Sequence, residues 1–131
     1  DNVEAHTVAL HAYKKINKRF DYIILLQPTS PLRTNYHIDT SIKLLIKKRR
    51  SSLISICKSK TKGKFPIRKD DQNFYHNVNG AIYIAKSNYL IKRKNFLNKD
   101  SILFNMPKKS SIDVDSLNDF NEAKRYFKKT F

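Results

Sequence analysis

The chain has 131 residues, with 27 Lys and Arg against 11 Asp and Glu, for a formal charge of +16 at pH 7 and a pI near 10.0. That length sets one domain or part of one, and an apolar content of 40% supports a modest core. Two glycines exclude a glycine-rich loop wrapped on a triphosphate, one cysteine excludes an intrachain disulfide, and no apolar run approaches the roughly 18 residues of a membrane span.

Residues 3–18 read as a helix, because Val8, Ala9, Ala12, Tyr13 and Ile16 recur at three- and four-residue spacing. Asp1 and Asn2 would cap it with nothing before them, which suggests a chain lacking its lead-in. The continuous apolar run 22–26 has the pattern of a strand buried on both faces, and so of a central parallel strand. Pro28 and Pro31 then force the chain out of the sheet. Thr34 or Asn35 caps a second helix with Ile38, Ile42, Leu45 and Ile46 on one face. Residues 53–58 form a second strand with Cys57 as a small buried residue, and a basic loop with Gly63 follows. Residues 65–77 show no clear period and read as an irregular arm. A third strand spans 81–85, a short helix starts at Ser87, and a fourth strand spans 101–106. Ser116 and Asp119 form a capping box for a last helix, whose stripe Leu117, Phe120, Ala123 and Phe127 is expected to be buried. Alternating helices and strands predict a three-layer α/β fold with a largely parallel sheet flanked by helices, ligands binding at the carboxyl ends of strands.

Three short motifs carry chemistry. Gln27-Pro28-Thr29-Ser30-Pro31-Leu32-Arg33 leaves a strand end as a stiff polar loop. Its Gln27 offers donor and acceptor to a sugar or base, and Arg33 is either a fork for carboxylate or phosphate or a helix-proximal surface cation. Ser111-Ile112-Asp113-Val114-Asp115 points two carboxylates to one side of an extended segment, either for a divalent cation or to place negative charge at the start of the last helix. Asn79-Gly80-Ala81-Ile82-Tyr83 puts an amide just before a strand, with Gly80 allowing close approach to the backbone. His6, His11, His37 and His76 lack metal-ligand spacing and read as surface or core residues. The cations attract polyanions such as nucleic acid, anionic membrane or nucleotides. They are spread along the chain, however, with 47–50 the longest unbroken run, and this is the pattern of a solvated surface.

In order and spacing, the three motifs resemble the cytidylyltransferases that activate sialic acid and related nonulosonic acids with CTP. The resemblance covers about residues 1–127 and implies a Rossmann-like nucleotide-sugar transferase fold over a single partial domain, residues 1–131. The family's N-terminal nucleotide-binding loop has no counterpart here, so the resemblance also implies an N-terminally truncated chain with little activity alone and a possible separately encoded N-terminal half. It implies Mg²⁺ held by Asp113 and Asp115 as the catalytic carboxylates, with CTP and a nonulosonic acid as substrates. By the same resemblance Gln27, Arg33, Arg68, Asn79, Tyr83 and Phe96 bind substrate, and residues 58–77 form the arm of a homodimer. No signal peptide is visible, so a cytoplasmic protein without a membrane partner is the expectation, and nucleic acid is disfavoured. The rival readings are a non-catalytic dimerisation partner and a basic polyanion-binding module.

Overall fold

The computed structural model describes residues 2–130, with side chains described from Ala5 to Lys129. The elements in order are α1 (Asn2–Ile16), β1 (Tyr22–Leu25), α2 (Asn35–Lys48), β2 (Ser52–Ser59), β3 (Pro66–Lys69) and β4 (Tyr75–Lys86). They continue with α3 (Ser87–Arg93), β5 (Ile102–Asn105), a 3-10 turn at Lys108–Ser110 and α4 (Leu117–Thr130). The expected cap at Asp1 lies outside the described residues.

The sheet order is β1-β4-β2-β5, with β3 also paired to β4. Only β2 and β5 run parallel; β4 is antiparallel to β1, β2 and β3. The sheet is therefore mixed, correcting the expectation of a largely parallel one. The reason is the segment read as an irregular arm, which is a β-hairpin. Asp70 accepts hydrogen bonds from Gln72 N and Phe74 N at 3.0 Å each, and Asn73 takes φ 65, which turns β3 back into β4. A turn this short can only join antiparallel strands. It delivers the twelve-residue β4 between β1 and β2.

β1 is consequently an edge strand among the described residues, not a central one. Ile23 and Leu25 pack inward, while Ile24 is 40% exposed. The apolar run covers one face buried in the core and a second face that is only partly covered, with Tyr22 packed and Ile24 exposed. Alternation along β4 splits the core in two. Tyr83 and Ala85 pack with Ile54, Phe96 and Leu90 under α1 and α3, whereas Ile82 and Ile84 pack with Leu53, Leu45 and Met106 under α2. Helices thus cover both faces of the sheet.

Thr34 caps α2. His37 N donates to Thr34 Oγ1 at 3.4 Å and Thr34 N donates to His37 Nδ1 at 3.0 Å, a capping box with histidine in the place usually taken by Glu or Gln. Burial lowers the His37 pKa, which keeps that ring nitrogen an acceptor. α4 begins at the predicted box, since Asp119 N donates to Ser116 Oγ at 3.2 Å and Asp119 Oδ2 accepts from Ser116 N at 3.1 Å. Its stripe is not buried. Ala123 is, but Leu117 is 73% and Phe120 52% exposed, because α4 lies along a loop rather than on the sheet. Ile46 is also exposed and Cys57 is half-buried, since β2 leaves the core after Ile56.

Candidate functional site

The Gln27 loop leaves β1 and closes on itself, Ser30 N donating to Gln27 O at 3.3 Å. Arg33 fastens it to the sheet: its Nη1 donates to Gln27 O and to Ala81 O, both at 2.9 Å. Burial lowers the Arg33 pKa, and the guanidinium braces loop to strand instead of opening into a cleft.

Opposite Arg33, β4 bulges. Ile54 pairs with Tyr83 but Ile56 pairs with Val78, so three extra residues of β4 are accommodated there. Their backbone is satisfied by side chains. Ser55 Oγ accepts from Ile82 N at 2.8 Å and donates to Asn79 Oδ1 at 2.5 Å, and Asn79 Oδ1 also accepts from Ala81 N at 3.1 Å. Asn79 Nδ2 donates to Ser111 Oγ at 3.1 Å. The Asn79 amide is thus consumed in bracing the bulge and tethering the 111–115 segment.

Gly80 sits in the bulge at φ +75, in the left-handed region. A Cβ there would lie 2.6 Å from Gln27 Oε1 and 3.9 Å from the Tyr83 hydroxyl oxygen. The missing side chain is what lets Gln27 rest on the strand. The acidic segment is stitched to the same loop by Val114 N, which donates to Thr29 O at 2.8 Å.

Two clefts meet at this seam. One, about 620 Å³, is lined by Gln27, Pro28, Thr29 and residues of α1; the other, about 310 Å³, by Asn79, Asn77, Ser111 and Cys57. Asp113, Asp115, Lys64 and Phe65 line both. The carboxylates are therefore on the same side of the molecule as Gln27 and Asn79. Asp113 Oδ1 is buried without a hydrogen-bond partner. Burial, reinforced by the Asp113 carboxylate, pushes the Tyr83 phenol up to about 12, so it stays protonated and can donate. Asp119, drawn into the α4 box, is held below its ordinary value by the Asp115 and Ser116 amide and hydroxyl donors.

An unpaired buried carboxylate oxygen beside a second carboxylate is a donor set for a hard divalent cation. No group of three or more His, Cys, Asp or Glu suited to a metal occurs among the described residues. A pair of carboxylates is the number of protein ligands that a Mg²⁺ site completed by water and other oxygen ligands uses.

Other predicted residues lie elsewhere. Phe96 is fully buried against the Tyr83 ring, with centroids 5.3 Å apart, so both rings belong to the core and only the Tyr83 hydroxyl nears the seam. The resemblance implies that both bind substrate; in this chain the aromatic pair fills the layer between sheet and α1. Arg68, exposed on β3, donates through Nε to His76 Nδ1 at 3.3 Å and lines neither cleft. Lys64 and Phe65, which do, were read only as a basic loop and the start of an arm. The signal for them was Gly63, where a Cβ would lie 2.7 Å from the Asn77 side chain and whose N–H donates to Asn77 Oδ1.

No family model matches the chain. It is similar to the N-acylneuraminate cytidylyltransferase of Escherichia coli O18:K1:H7, 29% identical over 79% of this chain and 29% of the relative. It is similar also to the N-acylneuraminate cytidylyltransferases of Streptococcus agalactiae serotype III and serotype Ia. Each is 28% identical over 74% of this chain and 28% of the relative. The chain spans under a third of the length of these relatives. The family resemblance read from the motifs is thus found again in comparison over most of the chain.

Proposed function

We propose that this chain forms the sugar- and metal-binding portion of a cytidylyltransferase that transfers CMP from CTP to a sialic acid or related nonulosonic acid. In that reaction the sugar's anomeric hydroxyl oxygen bonds to the α-phosphorus, its proton passes to solvent, the bond to the β-phosphate breaks, and pyrophosphate leaves. The observation that carries the reading is the buried, unpartnered Asp113 Oδ1 where the Gln27 and Asn79 clefts meet. Asp113 and Asp115 hold Mg²⁺, which when bound neutralises the polyphosphate charge. Gln27 presents its amide to sugar hydroxyls or the N-acyl group. Lys64, on the wall of both clefts, supplies positive charge for the acid's carboxylate or a phosphate. Arg33 and Asn79 position the site without touching the sugar.

The nucleotide-binding loop comes from a segment outside these residues. β1, with its open edge, is where that segment joins the sheet. The hairpin arm serves a homodimer in the cytoplasm. No described helix is long and apolar enough to cross a membrane.

The test mixes this chain with the N-terminal part of a similar cytidylyltransferase, CTP, a panel of nonulosonic acids and Mg²⁺, and follows pyrophosphate. Metal-dependent release with at least one sugar supports the reading. A well-formed dimer or complex that releases none with any sugar sinks it in favour of a non-catalytic partner.

A further inference from the structure

Twelve of the 27 cations, though scattered in sequence, gather at one end of the sheet. β1 and β2 both run antiparallel to β4, and β5 runs parallel to β2, so β1, β2 and β5 start at one end of the sheet. Tyr22 faces Lys86, Ser52 faces Ala85, and Ile102 sits beside Leu53. A helix ends before each start: α1 before β1, α2 before β2, α3 before β5. The connections are hydrogen-bonded into one surface by Ser87 N to Asp21 O at 2.9 Å, Lys86 N to Ser51 O at 2.9 Å, and Arg50 Nη1 to Asp100 O at 3.0 Å. Residues 14–21, 47–51 and 92–100 together carry twelve cations and two carboxylates.

Two further features set this pole apart. Arg49 and Lys94 take the left-handed position that ends α2 and α3, both at φ 53. Glycine fills that position without penalty, and an L-residue there costs free energy. Charge stands at this pole despite that cost. Apolar side chains are also exposed among the cations. They are Ile16 at the end of α1, Phe20 on the following connection, and Ile91 on α3. Phe20 and Ile91 line an open cavity of about 610 Å³ together with Tyr13, Tyr22, Arg19 and Lys86.

We propose that this pole is a docking surface for an anionic lipid bilayer. Headgroups engage the cations, and Ile16, Phe20 and Ile91 settle into the headgroup boundary. Eight of the twelve cations are Lys, point charges suited to a fluid anionic surface. Ile16 and Ile91 are aliphatic, and gain from lipid contact what base stacking would not give them. The expectation of no membrane partner rested on the lack of a spanning segment and of a signal peptide, and a surface of this kind needs neither. β1 runs from this pole to Gln27 at its other end, so a docked chain keeps its clefts turned to solvent. The proposal is independent of the chemistry assigned to those clefts.

The test is co-sedimentation of the full chain with vesicles of phosphatidylcholine alone or with about 30% phosphatidylglycerol, at about 0.1 M salt. Binding to the anionic vesicles only is expected, weakening as salt rises. The triple variant K15Q/K48Q/K92Q should lose affinity by about 10- to 100-fold. The control K62Q/K124Q/K128Q, of equal net charge, should lose less than about threefold. Phe20→Ser should weaken binding severalfold with every charge intact. If the first triple fails to give a native circular dichroism spectrum, K14Q/K47Q/K99Q replaces it with the same expected loss. Absence of binding to anionic vesicles, or equal losses in pole and control variants, overturns the proposal. Tighter binding to a single-stranded oligonucleotide than to the vesicles, abolished by the pole variant alone, also overturns it and assigns the pole to nucleic acid.

Discussion

Asp70 sits on the turn into β4 and Asp113 on the irregular segment before α4, and they live in opposite conditions. Asp70 accepts from Phe74 N and Gln72 N and lies 3.0 Å from His76 Nε2, and these bonds, Phe74's first, hold its carboxyl down to about 2. Asp113 has a buried oxygen that nothing satisfies, although Val114 N and Ser111 Oγ hold its segment firmly in place. A carboxylate with both oxygens engaged is a structural part. One held in place with a buried oxygen unpartnered calls for an explanation beyond the fold itself.

Removing charge should separate the two most sharply. Asp113→Asn should cut metal-dependent pyrophosphate release by the complemented enzyme about 100-fold or more. In metal-free buffer the same change should hold or raise the urea midpoint, because it deletes an uncompensated buried charge. A drop in stability with activity kept would place Asp113 with Asp70 and break the contrast.

Asn79→Ala comes next. It leaves Ala81 N and the Ser55 hydroxyl without their acceptor and frees the 111–115 segment, so urea unfolding should show a loss of about 2–4 kcal/mol. A loss confined to sugar affinity, with the midpoint unchanged, would return Asn79 to the role of substrate ligand.

Acidification sharpens the other side. The Asp70 carboxyl is depressed in the folded chain, so its contribution is complete above its ordinary value of 3.8 and disappears as pH falls towards about 2. Thermal melts should therefore lose a component of stability across pH 4 to 2 that is absent in Asp70→Asn. An identical acid limb in that variant would show the hairpin does not depend on the carboxylate.

The smallest effect is spectroscopic. Tyr83 is raised from 10.0 to about 12, so the folded state loses stability as pH climbs through that interval, where only the unfolded phenol ionises. Phenolate absorbance should show one tyrosine titrating near the top of this range. Asp113→Asn should bring it partly back, burial being the larger cause. No change would mean that the Asp113 charge is not felt at the Tyr83 hydroxyl.

The parts legible in the sequence are those governed by local rules. The Ser116–Asp119 box, the Thr34 cap and the proline-stiffened exit from β1 are each set by neighbours a few residues away. Gln27 and the two aspartates were read together because their motifs stand in a family's order, and the clefts bring them to one seam. Periodicity reports burial and not partners, so it could not reveal that β4 enters between β1 and β2 and leaves β1 at an edge. Residue type reports hydrogen-bonding capacity and not its use. Asn79 and Arg33 read as free to hold a ligand, yet each is spent on the bulge and the loop. The basic pole was invisible for the same reason, because its three stretches are brought together only by strand direction.

The bond from Val114 N to Thr29 O is made between two main chains. Neither side chain takes part, so substitutions at either position leave the join intact. Proline at 114, which has no N–H to give, is the exception. The alignment of the acidic segment with the Gln27 loop is therefore robust to mutational drift, and the lineage could alter what the clefts select while keeping the seam that holds them together.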